Sequence, residues 1–272
     1  MCEVHGVGRR LIAIRAMAVA SALVFGACAA PSWSMAVSRA DGRSAPLIKW
    51  QVVAAHPHDR HAFTQGLLLY DGLLYESTGL RGRSQLRAVR PHDGRILRHV
   101  VLPATVFAEG LARVDQRLLQ LSWQAGRAFV YNLKDFRLIR EFTYPGEGWG
   151  LAFDGKHLLM SDGSAQLRVL DAHKFTELRR IDVDDNGVPV PRLNELEWVG
   201  KALFANVWQS DRIARINTTT GEITGWLVLE NLLGLASKRA GVLNGMAWDE
   251  AKQQLWVTGK LWPRIFVLEL EQ

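Results

Sequence analysis

From about residue 48 onwards the chain is filled with short runs in which apolar and polar residues alternate, separated by turn residues. This rhythm predicts β-strands joined by tight turns. No long segment in that region carries the i, i+3, i+4, i+7 spacing of an amphipathic helix, and only "NLLGLASKRA", residues 231–240, is left as a short helix or loop. Five runs are interrupted in the same way: "FTQGLLL" from residue 63, "FAEGLAR" from 107, "EGWGLAF" from 147, "LNELEWV" from 193 and "VLNGMAW" from 242. Their equivalent points, Gly66, Gly110, Gly150, Glu195 and Gly245, stand 44, 40, 45 and 50 residues apart. A period in that range means a propeller or an array.

Each interrupted run is followed by a second strand-like run, "LLYESTG", "LLQLSW", "HLLMSDG", "ALFANVW" or "QLWVTGK". Most repeats then show a third run, a turn such as "HDGR" or "TTGE", and a fourth run. The last repeat stops after "RIFVLEL" with no fourth strand, while "IKWQVVAA", residues 48–55, precedes the first repeat and has none of its own. Pairing these two closes a ring and is expected to leave no exposed sheet edge. The fold expected is therefore all-β: a five-bladed β-propeller over residues 47–272, four antiparallel strands per blade, its last blade completed by the N-terminal strand.

Composition changes this picture little. A chain of 272 residues with 48% hydrophobic and 22% charged residues is an ordinary globular protein. The net charge of +6 is spread without a basic block, so no nucleic-acid partner is expected. The N-terminus adds more. Arg9, Arg10 and Arg15 precede "AMAVASALVFGACAA", which has the length of a signal-peptide core and is too short for a membrane span. Residues 1–29 are read as a signal peptide and 30–46 as a linker, so the mature protein is expected outside the cytoplasm, periplasmic or secreted. Cleavage after Ala29, or a lipoprotein-type signal leaving Cys28 as a lipidated first residue, both remain open. Either removes Cys2, and no disulfide is left to staple the domain.

The first strand of each blade lines a propeller's channel, so the polar residues of the interruptions, Gln65, Glu109, Asn194 and Asn244, should converge on one mouth. Gly beside them reads as room for crowded backbones. Buried polar groups need partners or a ligand. Trp123, Trp149 and Trp208, with Phe63 and Phe107, fall in the same segments and suggest an aromatic pocket. Other signals carry less. "HPHDRH", residues 56–61, is a Pro-containing turn without metal-ligand spacing, and "DVDDNG", residues 182–187, starts like a calcium loop but has Leu193 at its twelfth position, so it reads as an Asx-rich turn. Asn217 heads a formal glycosylation sequon.

Together "FTQGL", "FAEGLA", "LSW", "EGWGL", "SDGS", "LNELEWV", "ANVWQSD", "VLNGMAWD" and "VTGKLWP" resemble the glutamine cyclotransferases, the plant and bacterial type of glutaminyl-peptide cyclotransferase, over roughly residues 50–270 in the right order. The resemblance implies a five-bladed propeller that converts the N-terminal Gln of peptides or proteins to pyroglutamate with release of ammonia, without catalytic zinc or other cofactor. A structural Ca2+ in the channel stays open. Glu109 would be the general acid/base. Gln65, Asn194 and Lys260 would contact the substrate's polar groups, and Phe63, Phe107, Trp123, Trp149 and Trp208 would form the cage; in "EGWG" either the Trp149 ring or Glu147 could face the mouth. Oxyanion donors would be Asn194, Lys260 or an indole N–H. A monomer is expected. The rival readings are a non-catalytic propeller that binds a peptide or protein at the same mouth, and a calcium-dependent hydrolase, which would want several channel carboxylates.

Overall fold

The computed structural model describes residues 44–230, 232 and 240–271. The expected signal peptide, Cys28, most of the 30–46 linker and most of the 231–240 connection lie outside the described residues. Blade 1 comprises Thr64–Tyr70, Leu73–Thr78, Gln85–Arg90 and Arg95–Val101; blade 2, Ala108–Val114, Arg117–Ser122, Arg127–Asn132 and Leu138–Thr143. Blade 3 comprises Leu151–Phe153, His157–Ser161, Gln166–Asp171 and Glu177–Asp182; blade 4, Leu193–Val199, Ala202–Val207, Arg212–Ile216 and Ile223–Val228. Blade 5 is built from Leu243–Asp249, Gln254–Gly259, Arg264–Leu270 and, as its outer strand, Trp50–Pro57. The all-β, five-bladed expectation holds.

Closure differs from expectation in one respect. The N-terminal segment is two strands, not one: Leu47–Ile48 pairs in parallel with Trp226 and Leu227 on the outside of blade 4, and only then does Trp50–Pro57 pair antiparallel with Leu270–Arg264 of blade 5. Trp50 Nε1 donates to Val228 O at 2.9 Å, and Ile48 is buried between the two blades. The terminus thus stitches blade 4 as well as closing blade 5. The expectation of no exposed sheet edge is corrected: closing the ring joins the blades, but the outer strands of blades 1–3 keep a free edge, and each is bulged against its neighbour and carries Arg residues, which blunt edge-to-edge association.

Packing is confined to the spaces between blades. Leu68, Leu86, Leu111 and Phe129 join blades 1 and 2; Leu119, Leu151 and Leu158 join 2 and 3; Leu159, Leu196 and Leu203 join 3 and 4; Phe204, Met246 and Leu255 join 4 and 5; Leu67, Leu74 and Trp256 close 5 onto 1. Each fully buried side chain of this size stabilises by about 1.5–3 kcal/mol relative to exposure. Because this apolar surface lies between the sheets, the axis itself is free for polar groups. "DVDDNG" forms a small hairpin turning at Asn186 and Gly187, with φ of 53° and 81°, as a two-residue turn with left-handed backbone requires. Its Asp185 accepts Ala45 N at 2.8 Å and Trp226 Nε1 at 2.9 Å, so it anchors the incoming chain.

Candidate active site

The five interruptions are where the inner strands depart from regular pairing. Register shifts fall between Thr64 and Gly66, Ala108 and Leu111, Leu193 and Leu196, and Leu243 and Met246, while the inner strand of blade 3 begins only after Gly150. A bulge turns a side chain out of the sheet's alternation, and here it turns Gln65, Glu109 and Asn194 toward the axis. The glycines beside them are needed for crowding: a Cβ on Gly66 would lie 2.6 Å from Leu111 N, and one on Gly150 would lie 2.0 Å from Asn194 O. At the fourth copy Glu195 replaces Gly, and its carboxylate accepts Leu67 N at 3.4 Å and Met246 N at 3.1 Å. It ties three blades together across the axis.

A cavity of about 400 Å³ opens at the end of the channel where these bulges lie. The nine residues that the resemblance assigns to the site line it: Glu109, Gln65, Asn194 and Lys260, with Phe63, Phe107, Trp123, Trp149 and Trp208; Asn244, expected at the same mouth, does not. Gln209, Gly241 and Val242 complete the wall; Gln209 and Val242 lie within the quoted motifs "ANVWQSD" and "VLNGMAW", but nothing singles them out there. The rings meet edge to face in two runs. Phe63 contacts Phe107 at 6.0 Å and Phe107 contacts Trp123 at 5.7 Å, while Trp149 meets Trp208 at 5.5 Å. Two rings sit on glycines, since a Cβ on Gly79 would strike Phe107 and one on Gly163 would strike Trp149.

Glu109 is 5% exposed, and of the buried carboxylates Glu76, Glu109 and Glu195 it alone faces the cavity. Its Oε1 accepts Gln65 Nε2 at 2.6 Å, and Asn244 Nδ2 donates to Gln65 Oε1 at 3.4 Å and to Thr64 O at 3.0 Å. Asn244 therefore fixes the sense of the Gln65 amide, consistent with a supporting place outside the cavity wall. Burial pushes the Glu109 carboxyl well above the usual carboxylate range, with Lys260 opposing the shift and Glu147 adding to it. Burial likewise pulls the Lys260 ammonium down, against the attraction of Glu109. Lys260 Nζ lies 4.9 Å from the centre of the Phe63 ring. Asn194 lines the cavity, and its Oδ1 is buried with no hydrogen-bond partner in the protein.

In "EGWG" it is the Trp149 ring that lines the cavity; Glu147 is not part of the wall, and its Oε2 accepts Trp149 Nε1 at 2.9 Å and Trp123 Nε1 at 2.6 Å. The expectation of an indole N–H as oxyanion donor is thereby corrected for these two rings, whose donors are already committed. The histidines of "HPHDRH" form no metal site. His58 is buried, bonded to Glu76 Oε1 at 3.0 Å and Trp262 O at 2.7 Å, in a cluster where Glu76 also meets Arg87 and Thr64 Oγ1. Among the described residues no group of three or more His, Cys, Asp or Glu is placed to hold a metal ion.

The family model for glutamine cyclotransferase matches residues 19–270. The chain belongs to the glutamine cyclotransferase family. It is 41% identical over 248 residues to the glutaminyl-peptide cyclotransferase of Arabidopsis thaliana, covering 89% of this chain and 77% of that protein. It also superimposes on the crystal structure of Myxococcus xanthus glutaminyl cyclase with a TM-score of 0.78 at 32% identity, covering 84% of this chain and 98% of that one. What distinguishes this cyclotransferase cavity from an ordinary aromatic binding pocket is Glu109, an ionisable group at the base of apolar walls.

Proposed function

We propose that this chain is an enzyme that closes the N-terminal Gln of peptides or proteins to pyroglutamate and releases ammonia, with Glu109 as general acid/base. The observation that carries the reading is the buried Glu109 carboxyl, held by Gln65 inside an aromatic cavity and shifted toward its protonated form. The attacking group is the substrate's own α-amine, whose reference pKa is about 7.7, so no protein nucleophile is needed. The amine nitrogen bonds to the γ-carboxamide carbon; Glu109 takes the proton this nitrogen sheds and delivers it to the departing amide nitrogen, which leaves as ammonia as the C–N bond breaks. A carboxyl of raised proton affinity suits both transfers. The Asn194 amide and Lys260, both in the cavity wall, are the donors for the tetrahedral oxyanion. The aromatic walls fold the Gln side chain back on its amine, which supplies the entropic share of the rate. No step calls for a Lewis acid.

The test is ammonia release from a Gln-initiated peptide, followed by mass spectrometry of the product, with and without a chelator. Turnover unaffected by chelator is expected. Binding of the peptide without ammonia release would replace this reading with that of a binding propeller, and loss of turnover with chelator would overturn the metal-free route.

A further inference from the structure

The two edge-to-face runs of the cavity wall, Phe63–Phe107–Trp123 and Trp149–Trp208, come from different sides of the ring. Glu147 joins them. Its Oε2 accepts both indole N–H groups, at 2.6 Å from Trp123 and 2.9 Å from Trp149, and its Oε1 accepts Gln124 Nε2 at 3.1 Å. An indole has a single donor, so a ring whose N–H is held by a fixed carboxylate has lost the freedom to turn about its side-chain bonds. The turn that carries Glu147 is itself laced to Trp123. Gly148 N donates to Trp123 O at 3.2 Å, Gly146 has φ of 79°, and a Cβ on Gly148 would lie 2.5 Å from the Tyr144 hydroxyl. That hydroxyl is bonded to Ser122, the residue before Trp123. The glycines on either side of Glu147 thus allow one turn to grip both walls.

We propose that Glu147 is a positioning residue for the cyclisation: by accepting the N–H groups of Trp123 and Trp149 it locks two blades' aromatic rings into one rigid cage. This rests on the cyclotransferase reading above. Glu147 is the anion the clamp needs, because although burial works against its charge, the hydrogen bonds from Trp149, Gln124 and Trp123 hold its carboxyl below the usual range. Its charge also reaches Glu109. The titratable groups around Glu109 are Lys260 of blade 5, Glu147 of the turn before blade 3, and the Tyr144 phenol, and of these Glu147 strengthens Glu109's hold on its proton.

Two variants separate the clamp from the charge. Glu147→Gln keeps the size and removes the charge; Glu147→Asp keeps the charge and shortens the reach. In Glu147→Gln, KM for a Gln-peptide is expected to rise about ten-fold, the scale of one lost charge-assisted hydrogen bond, with a smaller fall in kcat, a changed tryptophan emission spectrum, and an acid limb of kcat displaced to lower pH. Glu147→Asp should raise KM while leaving that limb where it is. Glu250→Gln is the control, since it removes the same kind of carboxylate–indole bond, 2.6 Å long, from the half-buried Trp248, which lies outside the cavity wall, and should change neither parameter. Wild-type KM and emission in both Glu147 variants, measured on folded protein, would overturn the clamp. An acid limb unmoved in Glu147→Gln would overturn the electrostatic effect. A wild-type protein that releases no ammonia would instead overturn the cyclotransferase reading, and the emission spectra would still report on the clamp.

Discussion

Replacing Glu109 by Gln removes one proton site and almost no volume. Oε1 of the new amide can still accept Gln65 Nε2, now 2.6 Å from the carboxylate, so the bulge and the cavity should persist. Two consequences follow, in opposite directions. Cyclisation loses its proton shuttle, and kcat should fall about 10²–10⁴-fold, the usual worth of a positioned acid/base. Stability should not fall with it. Glu109 has a folded-state pKa raised above its unfolded value, mainly by burial, so the folded protein binds a proton more tightly than the unfolded chain does. As pH rises from the ordinary carboxylate pKa toward the raised one, the wild type therefore loses stability at up to about 1.4 kcal/mol per pH unit, whereas Gln does not titrate. Glu109→Gln should equal the wild type near pH 4 and surpass it increasingly at neutral and alkaline pH. The assay is kcat for a Gln-peptide beside Tm at a series of pH values. Activity within about ten-fold of wild type, or a Tm difference that does not grow with pH, would refute the reasoning that Glu109 is both the shuttle and a strongly desolvated carboxyl.

Further outcomes are expected elsewhere in the ring. Glu197, whose carboxylate accepts Trp248 N at 3.0 Å, has a pKa pushed by burial up to about 8, so Glu197→Gln should leave stability at pH 5 nearly unchanged and raise Tm above pH 8. In Glu76→Gln the buried Arg87 loses its main counter-charge, and the destabilisation, of order 3–5 kcal/mol by urea unfolding, should be largest at neutral pH and shrink in acid, because Glu76 contributes stability only while ionised. Gly150→Ala puts a Cβ into Asn194 O and should cost about 1–3 kcal/mol together with an increase in KM, since Asn194 lines the cavity.

Much of the site could be read along the chain because a propeller repeats itself. Gln65, Glu109, Trp149 and Asn194 occupy the same slot of the first four copies, so the repeat that gives the blades also gives the mouth. Lys260, Trp123 and Trp208 follow the second strand of their blades and share that end. What escaped was whatever depends on a partner from another blade. Glu147 is one carboxylate in a glycine-rich turn until Trp123 is beside it, and Glu195 is an irregular copy of glycine until Leu67 and Met246 present their N–H groups. Gln209 and Val242 sit inside the motifs "ANVWQSD" and "VLNGMAW", but nothing in their residue type marks them as cavity wall.

The sequence alone determined the number of blades, the order of their strands and the closing of the last blade from the N-terminus, because alternation, turn residues and repeat length are local properties that survive in one dimension. The tertiary structure decided which way the interrupted residues face, through bulges whose pairing partners lie on the adjacent strand. It also decided that Leu47–Ile48 belongs to blade 4, that two indoles share one carboxylate, and that burial raises the proton affinity of Glu109. These depend on distance and solvent exclusion among groups far apart in the chain, and a proton's affinity is set by the charges and the water around it rather than by its neighbours in sequence.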